Sequence, residues 1–273
     1  MEMAIANQEG TSPRVKNFES CRKIAQGPVF IIASGKSAKD FPLEQFSDIP
    51  IITMNGAIAM FAGSDIKPFF YVCSDTSFRL QQPHLYEMAI QRSKRIAIWK
   101  TEAEKLAKPP SGEIFFLEKA PELPLMQAIF KRESHHARSW ALWSKRGRSI
   151  GFSKNMEYGY FDARTIAYVA LQIAYHLGFS KVFLVGVDLN QSAGRFYENG
   201  ASVISPCGLD KHFEQRILPS LKLMSSDVVN EEFKVYNLSP TSRIPKSIIP
   251  KLSISQAREM IDTDLTSASK QIL

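Results

Sequence analysis

The amino-acid sequence predicts an α/β fold: a Rossmann-like, largely parallel sheet with helices on both faces. Three observations predict it. Short hydrophobic runs alternate with stretches of helical periodicity along most of the chain. Several runs are apolar throughout, as strands buried on both faces of a parallel sheet are. Four of them exit into small polar residues, the usual composition of the ligand-binding carboxyl edge of such a sheet.

Residues 1–20 are polar and predict a flexible N-terminus. A nucleotide-binding part over 21–118 begins with a strand at Val29–Ala33, which ends in Ser34, Gly35, Lys36 and Ser37. A second strand, Ile49–Met54, exits through Asn55 and Gly56 into a short apolar helix. A third, Pro68–Cys73, exits through Ser74 and Asp75. Arg95–Trp99 and Ile114–Leu117 read as further strands, with helical patterns around 80–92 and 101–107. The rhythm breaks over 119–158, where prolines, Trp140, Trp143, His135, His136 and a basic cluster predict an inserted lid over the carboxyl edge.

The α/β pattern resumes over 159–244. Ile166, Val169, Ala170, Ile173, Ala174 and Leu177 recur at helical spacing, so one apolar stripe is expected to face the sheet. Gly178 suits the left-handed position that ends a helix. Lys181–Val185 is the next strand, Gly186 leaves bare backbone at its exit, and Asp188 projects a carboxylate just beyond. A helix over Phe213–Met224 and a strand over Phe233–Leu238 follow. The segment 245–273 has spaced prolines and a helix over Ser255–Asp262.

Composition narrows the function. A hydrophobic content of 44% with 22% charged residues fits a globular chain. The first twenty residues lack the apolar core of a signal peptide and no run is long enough to span a bilayer, so a cytoplasmic location is expected. Cys21, Cys73 and Cys207 are scattered, which argues against a disulfide framework or a cysteine zinc site. Much of the net charge of +7 comes from Lys131, Arg132, Arg138, Lys145, Arg146 and Arg148, with Glu133 opposing them. That cluster fits an anionic partner: nucleic acid, a phosphorylated glycan or an acidic membrane surface. A solvated surface face is the plain alternative.

The motifs exclude several chemistries. A Walker loop needs glycine five residues before the Gly35-Lys36 pair, where Phe30 stands inside the strand. The pattern is not G-x-G-x-x-G either. What remains is a tight strand-to-helix turn that serves equally as structure or as a phosphate or sugar contact. Adjacent histidines at 135 and 136 point apart and lack a third ligand at standard spacing, so no metal site is expected. His212, at a loop-to-helix junction, is a candidate general base. The convergent polar exits fit a nucleotide-sugar pocket.

KRGRSIGF (145–152), GYxxxRTIA (159–167) and GVDLNxSxxRFY (186–197), with FFYVCSDTSF and IITMNGA, resemble the lipopolysaccharide inner-core Kdo transferases of the type adding a further 3-deoxy-manno-octulosonate. The resemblance runs from about Val29 to Tyr236. A more distant one is to bacterial sialyltransferases that use CMP-activated ulosonic acids. These resemblances imply a GT-A-variant-like, Rossmann-like glycosyltransferase using a CMP-sugar donor, with inversion and no metal or other cofactor. They imply that Ser34, Gly35, Ser37, Asn55 and Gly56 face CMP, and that Ser74, Asp75 and Thr165 lie near phosphate and ribose. Gly186 and Asp188 would lie towards the cytidine, and His212 would be the general base.

In the sialyltransferases two tyrosines bind the leaving phosphate. Here those positions fall at Asn190 and near Phe196 or Tyr197, so Arg195 or Arg164 is expected to supply the charge. Arg138, Trp140, Trp143, Lys145, Arg146 and Arg148 would meet an anionic glycolipid acceptor, the lipopolysaccharide core, and the inner face of the inner membrane. Rival readings are a sialyltransferase or other CMP-ulosonate transferase, a nucleic-acid-binding protein, and an inactive nucleotide-binding homologue.

Overall fold

The computed structural model describes residues 13–122, 124, 134–139, 141, 144–198 and 208–270. The strands are β1 (Val15–Lys16), β2 (Pro28–Ile32), β3 (Ile51–Met54), β4 (Phe70–Cys73), β5 (Arg95–Ile98) and β6 (Glu113–Phe116), followed by β7 (His136–Arg138), β8 (Gly151–Ser153), β9 (Lys181–Val185) and β10 (Lys234–Asn237). Eight of them form one sheet in the order β1-β6-β5-β4-β3-β2-β9-β10, every neighbouring pair parallel. The predicted fold class is the observed one, with strand limits moved by a residue or two.

Alternation explains why the strands read as unbroken apolar runs. Val29 and Ile31 face one core, and Phe30 and Ile32 the other. Val182 and Leu184 likewise oppose Phe183 and Val185. In the second core the Phe30 ring packs against Phe46 and Phe41, at centroid distances of 4.8 and 5.1 Å. The C-terminal helix, Ile254–Lys270, covers this face with Ala257 and Ile261 and runs past the predicted end at Asp262.

The central helix, Ile166–Leu177, ends as predicted at Gly178, whose φ of 95° lies in the left-handed region. It is buried nearly all round rather than along one stripe. Its second face carries polar side chains that need partners, and finds some of them in the segment predicted to be a lid. Gln172 Oε1 accepts from the N–H groups of Ser153 and Phe161, both at 2.9 Å, and its amide donates to the Phe161 and Tyr168 carbonyls. The Tyr168 hydroxyl reaches the carbonyls of Gly151 and Ser220. β7 and β8 form an antiparallel pair here, with Phe152 fully buried. Within 119–158, then, the described β7–β8 part is built into the core instead of covering it. Among its described residues, Lys119–Glu122, Arg138, Arg146, Arg148 and Ser149 reach the carboxyl edge.

The flexible N-terminus expected over 1–20 is also corrected from Pro13 onward. Val15 and Lys16 pair with Ile114 and Phe115 to extend the sheet, because the apolar Phe18 and Cys21 just beyond are anchored in the core. Among the described residues no helix is long and apolar enough to cross a membrane.

The N-terminal anchor rests on a neutral histidine. His176, 1% exposed, donates from Nε2 to the Phe18 carbonyl at 2.7 Å and accepts the Met156 N–H on Nδ1 at 3.2 Å. Burial holds its pKa below the ordinary 6.5. The unfolded chain therefore takes up a proton that the folded chain refuses, so stability is lost as pH falls below about 6.5. In urea unfolding, the advantage of the natural protein over His176→Gln is expected to shrink by roughly 1 kcal/mol between pH 7.5 and pH 5. A constant difference would exclude this titration.

Candidate active site

Chain order reverses between β2 and β9: β3 to β6 continue on one side of β2, and β9 and β10 lie on the other. The connections diverge at such a point and leave a crevice outside the carboxyl ends of the strands. A cavity of about 420 Å³ occupies it. The exits of β2, β3, β4 and β9 contribute Ser34, Gly35, Asn55, Ser74, Asp75, Gly186, Asp188 and Asn190. Arg164, Thr165 and Arg195 complete the predicted residues on its wall. Ser37, Gly56 and Tyr197, also predicted to touch the donor, do not line it.

The two exits at the reversal are in close contact. The Gly35 N–H donates to the Gly186 carbonyl at 2.9 Å, and a Cβ on Gly35 would sit 2.3 Å from that oxygen. Gly186 has a φ of 68°, and a Cβ there would lie 2.4 Å from the Ala33 carbonyl. Asp188 is 4% exposed, and its carboxylate accepts both the Ser37 N–H, at 3.0 Å, and the Ser37 hydroxyl. Both oxygens thus hold the β2 turn to the β9 exit. Ser37 serves the site from behind, through this bond.

Tyr197 is placed one layer back for a steric reason. Its ring lies where a side chain on residue 56 would stand, 2.3–2.4 Å from the hypothetical Cβ of Gly56. Burial pushes its phenol pKa up. The loop before it is fixed by Phe196 N–H to the Ser34 carbonyl and by a bridge between Gly35 and Arg195. Arg195 is itself paired with Glu198 at 3.3 Å. Asn55 behaves differently. It has a φ of 42°, and its Oδ1 is buried with no hydrogen-bond partner. An unmet buried acceptor costs about 1–3 kcal/mol, which a ligand donor would offset.

The far wall presents a helix N-terminus and a guanidinium. Thr165 is the N-cap of the central helix but makes no side-chain cap bond, and Ile166 and Ala167 line the cavity. The first N–H groups of a twelve-residue helix, with their partial positive charge, therefore face the cavity. Arg164 stands beside them with a φ of 64°, its N–H donating to Asp162 Oδ1 at 2.8 Å. Burial raises the Asp162 pKa, but hydrogen bonds from the Arg164 N–H and Lys119 outweigh it and hold the carboxyl below its usual range.

A second cavity of about 480 Å³ adjoins the first, and Asp162 and Arg164 line both. His212 opens into this second cavity, not the first. Arg138, Arg146 and Arg148 join it there, as do Lys119, Lys211 and Arg216, which the sequence reading did not single out. The signal was present in two places. Lys211 and Gln215 are four apart, as are His212 and Arg216, so a helix puts each pair on one face. Asp162 stands two residues before Arg164, the spacing of a carboxylate that caps a turn. His212 ends a first helical turn, Leu209–His212, rather than preceding the helix. Lys145 is absent from both cavities and lines a small side pocket with Glu122 and Arg148. Trp140 and Trp143 lie outside the described residues.

Residues 15–255 match the family model of the 3-deoxy-D-manno-octulosonic acid transferase WaaZ. The chain belongs to this family. It is a glycosyltransferase of the Kdo transferase type. Two relatives are named "Probable 3-deoxy-manno-octulosonic acid transferase". That of Escherichia coli (strain K12) is 27% identical over 89% of this chain and 88% of its own length. That of Salmonella typhimurium (strain LT2) is 28% identical over 86% and 90% respectively. Among solved structures, the MAf glycosyltransferase from Magnetospirillum magneticum AMB-1 superposes with a TM-score of 0.51 and 16% identity over 90% of this chain. This chain spans 38% of that protein's length, and the likeness shows the shared fold.

In this Kdo transferase the closeness of the two strand exits is testable. Gly186→Ala adds a clash with backbone and forces a left-handed φ on a residue with a side chain. It is expected to destabilise the fold by on the order of 3 kcal/mol in chemical unfolding. A loss below about 1 kcal/mol would show that the two exits can separate freely.

Proposed function

We propose that the enzyme transfers Kdo from CMP-Kdo to an anionic glycolipid acceptor, the lipopolysaccharide inner core, with inversion and without a metal. The observation that carries this is the pair of cavities meeting at Asp162 and Arg164. One has a helix N-terminus and a guanidinium suited to a departing phosphate; the other has His212 among arginines. CMP lies along the strand exits, its phosphate at the N-terminus of the central helix. The acceptor enters by the second cavity.

The transfer follows from this placement. The acceptor hydroxyl oxygen attacks the anomeric carbon from the side opposite the phosphate, so the new bond forms with inversion. The carbon–oxygen bond to phosphate breaks and CMP leaves with the electron pair. His212 takes the hydroxyl proton. Arg164 and the helix N–H groups stabilise the charge that grows on the phosphate, a fixed arrangement that needs no reorganisation during transfer. Arg138, Arg146 and Arg148 hold phosphate or carboxylate groups of the acceptor, and exposed Lys145 meets anionic lipid.

His212→Ala is expected to lower kcat for CMP release from CMP-Kdo by about 10²–10⁴-fold while the Kd for CMP stays within about twofold. Chelator should leave the natural enzyme's rate unchanged. Turnover of CMP-sialate but not CMP-Kdo would move the donor assignment to another ulosonate, and a full rate in His212→Ala would remove the base.

Replacing Arg146 and Arg148 together with serine should raise the acceptor KM by about tenfold or more and weaken its salt dependence, leaving CMP binding unchanged. An unaltered acceptor KM would place the acceptor elsewhere.

A further inference from the structure

Arg216 lines the second cavity, yet its guanidinium is already fully engaged. Nε and Nη2 both donate to the Asp162 carbonyl, at 2.9 and 2.7 Å. Nη2 also donates to the Ser149 carbonyl at 2.8 Å, while Nη1 meets the Ser149 hydroxyl and, at 3.4 Å, the Arg146 carbonyl. The bonded acceptors are neutral, so the side chain is not one half of an ion pair in these contacts. A planar fork with five N–H donors can span two loops in this way, whereas an ammonium on a flexible stem cannot.

The three segments it joins each carry a group the transfer needs. The Asp162 carbonyl opens the turn that sets Arg164. Ser149 closes the short Lys145–Arg148 helix that presents Arg146 and Arg148. Arg216 itself follows His212 by four residues, on the same helical face. The backbone between them is unusual: Phe213–Ile217 form a π-turn, and the Leu218 N–H bonds the Phe213 carbonyl five residues back. Such single turns are rare and recur at functional sites. Here the wide turn begins just after the base and carries the clamp.

We infer that Arg216 is a positioning residue, holding the His212 helix in register with the Arg164 turn and the acceptor arginines so that base and leaving group face each other across one wall. This rests on the reading of His212 as the base. Misplacement of a reacting group by about 1 Å can cost about a hundredfold in rate. Arg216→Lys keeps the charge and loses the fork, so it separates position from electrostatics.

The test compares natural enzyme, Arg216→Lys, His212→Ala and the double variant, measuring kcat and acceptor KM with CMP-Kdo, the Kd for CMP, and Tm. Arg216→Lys is expected to lower kcat by about 10- to 100-fold with the CMP Kd held within about twofold. The double variant should be no slower than His212→Ala alone, because Arg216 acts through the base. Partial rescue of Arg216→Ala by guanidinium at millimolar concentration, but not by urea, is expected as well. A kcat within twofold of natural, losses that multiply in the double variant, or a joint collapse of Tm and CMP binding would each overturn the inference. If the natural enzyme turned over no CMP-ulosonate at all, the functional reading would fail first and take this role with it.

Discussion

The site depends on how closely two parallel strands can bring their exits together. β2 and β9 are neighbours in the sheet, but their chains leave in opposite directions, and the crevice forms only if both exits stay tight. Glycine at 35 and at 186 lets backbone touch backbone, with the Gly35 N–H on the Gly186 carbonyl. Asp188 locks the contact by binding Ser37 from the far side. The cavity floor is therefore made of main chain. A side chain at either glycine would strike the opposite exit and push the two apart.

A second constraint is the central helix. A helix buried nearly all round must satisfy whatever polar groups it carries, and Tyr168 and Gln172 do so on the backbone of β8 and of residues 161 and 220. These bonds fix the second layer of the molecule. Because that layer carries Arg146, Arg148 and the Asp162 turn, the same helix that offers its N-terminus to the first cavity also sets the walls of the second. The two cavities thus share one structural support.

Much of this was legible in the sequence, and the divisions have physical causes. Strands buried on both faces write themselves as apolar runs, and four polar exits marked the cavity. Gly178 marked the end of the central helix because the left-handed conformation there favours glycine. Ile150 and Phe152 were misread with their basic neighbours as a lid, since a three-residue strand leaves no periodicity to detect. Phe18 and Cys21 anchor the N-terminal stretch, but two buried side chains in a polar run carry no pattern. Tyr197 was expected to touch the donor from its position in a motif. The missing side chain at Gly56 decides its place, a contact between residues far apart in sequence. Arg216 was missed because its partners are main-chain carbonyls, which no residue type announces.

Electrostatics links these features to the chemistry. The first cavity includes Asp75, Asp162, Asp188 and Glu198 in its wall, a poor composition for an anionic donor if the carboxylates were free. Each is engaged internally: Asp75 with Ser77, Asp162 with Lys119 and the Arg164 N–H, Asp188 with Ser37, and Glu198 with Arg195. Their oxygens are used in shaping turns, and Asp162 and Glu198 also have cationic partners. What faces the cavity unspent is the helix N-terminus and Arg164, whose guanidinium has no carboxylate ion pair among the described residues. Arg164, which lines both cavities, bonds through its main chain to the same Asp162 whose carbonyl Arg216 grips, so its turn is held through that residue.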